Sequence, residues 1–173
     1  MKAIVLLCLR PHERQVSFYS GFAARGYDVY LVIDDNAWQG PLPAGVRRVQ
    51  IDDALCAAQG FHGLNPEVKK PSGCSAWDKA VCHFSRDGTA YDAVWLIEDD
   101  VFVPSLDTIE AIDRRHGAAD VVSASHSVNR SGELLSWEWW QYVPRRVLPL
   151  PWAASMVCAV RVSGPLLGHV GQL

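Results

Sequence analysis

Three consecutive carboxylates, Glu98-Asp99-Asp100, close the apolar run Ala93-Val94-Trp95-Leu96-Ile97, and a second apolar group, Val101-Phe102-Val103, follows them. Like charge gathered at the end of a buried strand is costly unless a cation offsets it. Oxygen donors of this kind suit a hard divalent ion, Mg²⁺ or Mn²⁺, and such an ion commonly accompanies a phosphate-bearing substrate. If the backbone stays extended through the triplet, Glu98 and Asp100 point to one side and Asp99 to the other. The metal is then held by one or two side chains, and its open positions take phosphate oxygens and water. In that place it would neutralise a diphosphate leaving group as charge develops on it.

A second acidic pair, Asp34-Asp35, ends the β-branched run Asp28 to Ile33. In a parallel α/β sheet ligands collect beyond the carboxyl ends of the strands, so two acidic strand ends point to one shared site. Acidic turns also occur there simply because loops are solvated. Lys79, His83 and Arg86 lie off the apolar face of one predicted helix, with Lys69 and Lys70 before it. These cations suit a phosphate or, equally, a solvated helix face. Trp137, Trp139, Trp140 and Trp152 are four of the chain's seven tryptophans. Their rings could stack on sugars or fill a core.

Composition narrows the function classes. The chain has 173 residues, 49% of them hydrophobic and 20% charged, which is the balance of one compact domain with a real core. A formal net charge of −3 and the lack of a dense Lys/Arg block argue against a nucleic-acid partner. The opening Met1 to Arg10 has a basic residue before a short apolar run but no small-residue cleavage site, so it reads as a buried strand of a cytoplasmic protein. No apolar stretch approaches the roughly 20 residues of a membrane span. Five cysteines with no CxxC spacing read as reduced thiols.

The elements that must position these groups alternate between apolar strands and amphipathic helices, the pattern of an α/β domain on a mostly parallel central sheet flanked by helices. A strand is expected over Ala3 to Leu9, a helix over His12 to Arg25 stopped by Gly26, a strand over Asp28 to Ile33, and a short strand near Arg48 to Ile51. The weak pattern from about 57 to 73 predicts a mobile loop. Ser75-Ala76-Trp77-Asp78 has the form of a capping box, with Trp77, Ala80, Val81 and Phe84 at helical spacing after it. A further helix follows Pro104, a strand covers Asp120 to Ala124, and one late apolar strand runs from Trp152 to Val160 into a final helix.

The stretch Val94-Trp95-Leu96-Ile97-Glu98-Asp99-Asp100-Val101-Phe102-Val103-Pro104 resembles the DxD region of GT-A glycosyltransferases, and its Glu-Asp-Asp form is similar to that of the N-acetylglucosaminyltransferase I type. The resemblance implies a single GT-A-like domain over residues 1–173. It also implies a metal-dependent transfer of sugar from a nucleotide-diphosphate sugar to a glycan or other hydroxyl acceptor. Asp100 would be the main metal ligand, with Glu98 and Asp99 on the ribose or on metal-bound water and Glu98 able to join the metal. Asp34 or Asp35 would match the acid near the base, Cys8, Leu9 and Arg10 would line the same pocket, and His169 would be a late metal ligand.

Inverting enzymes of this type need a carboxylate to deprotonate the acceptor, usually supplied after the late strand. The acids after Asp120 are only Glu133 and Glu138, and both precede that strand. Three readings therefore stay open: a fragment lacking its C-terminal acceptor part, a base supplied by Glu133 or Glu138, or no inverting chemistry here; a truncated or degenerate GT-A module that binds a nucleotide sugar without transferring it is the competing function. A phosphotransfer domain on a flavodoxin-like sheet fits less well, because the first strand ends in Leu9-Arg10 instead of acids.

Overall fold

The structure is a computed structural model that describes residues 1–61, 74–87, 90–134, 140, 143, 148–155 and 157–172. Its centre is built from β1 (Lys2–Cys8), β2 (Tyr27–Ile33) and β4 (Ala93–Glu98), whose apolar residues are nearly continuous because both faces of the sheet are covered. Alternation along β1 sorts its side chains. Ala3, Val5 and Leu7 pack with Ala80 and Phe84 of α3 (Ala76–Asp87) and Leu167 of α5 (Gly164–Val170). Ile4, Leu6 and Cys8 pack on the other face with Val16 and Tyr19 of α1 (Glu13–Ser20) and Ile109 of α4 (Leu106–His116).

With β3 (Val46–Val49), β5 (Val121–Ser123) and β8 (Ala159–Ser163), these strands form a six-stranded sheet in the order β3-β2-β1-β4-β8-β5. The pairs β1/β2, β1/β4 and β2/β3 are parallel, and β8 runs antiparallel to both its neighbours. The mostly parallel α/β architecture expected from the sequence is present. The chain leaves β1 toward β2 on one side and reaches β4 on the other, so a topological switch point lies between β1 and β4.

Arg161 of β8 is buried and fixes the antiparallel strand to α4. Its Nε donates to Asp113 at 2.9 Å, and its terminal nitrogens donate to the Ala119 and Gly117 carbonyls at 2.8 and 3.1 Å. Asp113 also accepts from Tyr27 and from the Trp95 indole, so one buried carboxylate joins β2, β4, β8 and α4.

Several expected elements differ. The predicted helix over His12 to Arg25 ends at Ser20 and is followed by a 3₁₀ turn, Ala23–Arg25, which Gly26 terminates at φ 81°. The late strand over Trp152 to Val160 is two strands. β7 (Trp152–Ser155) pairs with β6 (His126–Asn129) in a separate two-stranded sheet, and β8 belongs to the main one. Continuous apolar character cannot report where a chain changes sheets. A short helix, α2 (Asp53–Ala58), was not anticipated, although Asp52 caps it by accepting from Ala54 and Leu55 at 2.9 and 3.1 Å. Most of the predicted loop, residues 62–73, lies outside the described residues, as do Lys69 and Lys70. Among the described residues no helix is long and apolar enough to cross a membrane.

Candidate functional site

The acidic triplet is a turn. β4 ends at Glu98, and the Val101 N–H returns to the Glu98 carbonyl at 3.1 Å, so Asp99 and Asp100 are the central residues of a β-turn. The backbone does not stay extended through the triplet, so the condition for its side chains to alternate is not met. The turn is tied down from α1 by Gln15, whose side-chain amide donates to the Asp99 carbonyl.

An open cleft of about 280 Å³ sits at this turn and is lined by Leu7, Cys8, Leu9, Asp34, the first residues of α3 and all three acids of the triplet. It occupies the carboxyl ends of β1, β2 and β4, at the switch point, where open α/β sheets bind ligands. Ser75 starts α3 at its edge, with its amide and hydroxyl both donating to Asp78, at 2.8 and 2.7 Å. A helix that starts at a cleft presents the positive end of its dipole there.

Each acid has a different environment. Asp34 is offset from beneath by Lys79, whose ammonium lies 3.1 Å from its Oδ1 and donates to its carbonyl at 2.8 Å. Lys79 is 0% exposed, and it also meets Asp53 at 2.6 Å and Asn36 Oδ1 at 3.1 Å. Burial alone would lower the Lys79 pKa, but the hydrogen bonds to Asp53 and Asp34 outweigh it and raise it above 10.5. Its donors are engaged by protein oxygens, so the ammonium that the sequence suggested for a phosphate instead supports Asp34.

Glu98 accepts from the Trp77 indole N–H and lies against the Cys158 thiol, whose pKa is raised first by its hydrogen bond to Glu98 and then by burial. Asp99 is raised above its ordinary value by burial and then by the charge of Asp100. Cys8, buried behind the cleft, is pushed up to about 12 by burial and by the charges of Asp99 and Asp34. The thiol stays protonated at neutral pH and contributes shape to the cleft, not a nucleophile.

Among the described residues, four carboxylates line the cleft and no lysine, arginine or histidine does. Neither a family model nor a curated protein nor a solved structure matches this chain.

Of the residues expected at the site, Cys8, Leu9, Asp34, Glu98, Asp99 and Asp100 come together, with Lys79 under Asp34. Arg10 and Asp35 turn to each other at 2.6 Å and are not part of the lining. Glu133 is exposed in the turn after β6, outside the cleft, and Glu138 lies outside the described residues. His169 is exposed in α5 and is not brought to the triplet. The reason is the direction of β8: Ser163 pairs opposite Ala93, so α5 starts at the end of the sheet remote from Glu98.

Sequence reasoning did not pick out Ser75 and Trp77 as site residues, although the capping box placed the helix start. Gln15 and Cys158 carried no local signal, because only the tertiary fold brings them to the turn. Among the described residues, no group of three or more His, Cys, Asp or Glu side chains is arranged to hold a metal ion. A divalent ion at Asp99-Asp100 would thus rely on substrate oxygens and water for most of its shell. The hard oxygen donors of the turn fit Mg²⁺ or Mn²⁺ used in that way.

Proposed function

We propose that the cleft binds a nucleoside-diphosphate sugar together with Mn²⁺ or Mg²⁺, and that the domain transfers the sugar to an acceptor hydroxyl as a glycosyltransferase of GT-A type. The observation that carries this reading is a cleft at the switch point lined by four carboxylates, where Asp34 and Glu98 have partners in the protein and the Asp99 pKa is raised by burial and then by the charge of Asp100. A hard cation relieves that charge, and a diphosphate completes its coordination. The sequence likeness of Val94 to Pro104 to a DxD region points the same way, and a cytoplasmic location goes with the reading.

When bound, the divalent ion supplies charge stabilisation for the departing diphosphate. Asp100, exposed at the turn, would bind it. Asp34, paired with Lys79, can accept hydrogen bonds from the nucleoside. Trp77 holds Glu98 at the end of β4, and Gln15 holds the turn from the other side.

A second reading, a module that binds the donor without transfer, is favoured by the position of Glu133 outside the cleft. Calorimetry against a panel of nucleotide sugars, with and without Mn²⁺, tests the shared part of both readings. Release of nucleoside diphosphate in the presence of the tightest donor separates them. No binding to any donor in either condition would sink both.

A further inference from the structure

Three cysteines converge away from the cleft. Cys56 lies in α2, Cys74 just before α3 and Cys82 within α3, and their buried side chains form a small cluster of their own beside Ile51 and Phe61. None of the three is in a disulfide. The thiols of Cys56 and Cys74 donate to one and the same oxygen, the Phe61 carbonyl, at 3.3 and 3.2 Å. Cys74 also lies 3.4 Å from the Asp53 carbonyl, while Cys82 turns to Gln59 Oε1 at 3.0 Å. Two thiols that share one acceptor within one buried cluster are neighbours, and Cys74 is also a hydrogen-bond neighbour of the Cys56 thiol; a bridge between them needs a bond of about 2.05 Å.

We infer that Cys56 and Cys74 form a thiol–disulfide modification site, at which a low-molecular-weight disulfide oxidises them to a bridge joining α2 to the start of α3. Cys56 loses its proton to solvent and attacks one sulfur of the small disulfide, whose other sulfur leaves as a thiolate. Cys74, deprotonated in turn, attacks the Cys56 sulfur of this mixed disulfide and expels the second small thiolate. Two cysteine thiols are oxidised, the small disulfide is reduced to two thiols, and the two protons end on the leaving groups.

Burial, joined by the neighbouring Cys82 and Cys74, holds the Cys56 thiol well above its ordinary pKa. Attack is therefore slow, and a mixed disulfide formed there meets a second thiol at once. Cys82 also neighbours the Cys56 thiol, but its own thiol donates to Gln59 while Cys56 and Cys74 share the Phe61 carbonyl, so the bridge is assigned to Cys74. The linkage reaches the cleft by two routes. Cys74 adjoins Ser75 in the cleft lining, and Asp53, whose carbonyl faces Cys74, presents its carboxylate to Lys79. None of this depends on what the cleft binds.

The test is to incubate the full chain with oxidised glutathione in mildly alkaline buffer, block remaining thiols with iodoacetamide and map the peptides by mass. The expected product links the Cys56 and Cys74 peptides, two hydrogens lighter than the separate pair. Cys82→Ala should form the same bridge, and Cys74→Ala should not. The bridged protein should melt at a higher temperature than the reduced one and return to it with dithiothreitol. Full alkylation of Cys56 and Cys74 after the half-exposed Cys158 has been glutathionylated would overturn the inference. So would a bridge that uses Cys82, or a native mass showing a metal ion held by the three thiols.

Discussion

Trp77, in the first turn of α3, donates its indole N–H to Glu98, the last residue of β4, and so ties a helix start to a strand end across the cleft. The bond has two consequences. It takes part of the charge of the first acid of the triplet, and it fixes the strand end from which Asp99 and Asp100 turn outward. The binding potential of the turn thus depends on a residue that carries no charge.

Replacing Trp77 by Phe keeps most of the apolar volume but removes the donor. A half-buried carboxylate that loses one hydrogen bond costs about 1–3 kcal/mol. Urea denaturation should show a loss in that range with the circular-dichroism spectrum unchanged, and Mn²⁺-dependent nucleotide binding should weaken. Wild-type stability and wild-type binding together would show that the indole does not hold Glu98.

Lys79→Met removes the buried ammonium that Asp34 and Asp53 share, which is expected to destabilise the fold by about 3–5 kcal/mol. The pH dependence follows from the sign of the shift. The folded-state pKa of Lys79 is raised above 10.5, so its contribution is complete below that value and fades as pH rises through the folded pKa. The gap between wild type and variant should be constant at neutral pH and close in strongly alkaline buffer. A gap that does not change with pH would mean that charge is not its cause.

Asp99 behaves in the opposite sense from a salt-bridged acid. Its folded pKa is raised above 3.8, so its ionisation costs stability at neutral pH and that cost disappears as pH falls below 3.8. Asp99→Asn should therefore melt higher than wild type at pH 7 and equal to it in acid. A divalent cation should reproduce part of this gain in the wild type at pH 7 and little of it in Asp99→Asn.

The centre of the fold was legible because its physics is local. Ile4 to Cys8, Val29 to Ile33 and Val94 to Ile97 are apolar without interruption, as strands buried on both faces must be, and the capping box at Ser75 to Asp78 gave the start of α3. The meeting of Asp34 with the triplet followed from the rule for strand ends. What stayed hidden depended on tertiary direction. The change of sheet between Ser155 and Ala159 has no compositional mark, and the antiparallel course of β8 is what carries His169 away from the site. The role of Lys79 was hidden for a related reason: a lysine off the apolar face of a helix looks solvated until Asp34, Asn36 and Asp53 close over it. Gln15 and Cys158 reach the turn from distant parts of the sequence, with nothing near them to announce it.

The central claim is that Asp100 binds a divalent ion that in turn binds a diphosphate. It is tested most directly by calorimetric titration of nucleoside diphosphate into wild type and Asp100→Ala, each with Mn²⁺ and with chelator. Wild type is expected to bind only with Mn²⁺, and Asp100→Ala, with an unchanged melting temperature, is expected to show no Mn²⁺-dependent binding. Equal affinity of the two proteins in Mn²⁺, or equal affinity of the wild type with and without the metal, would contradict it.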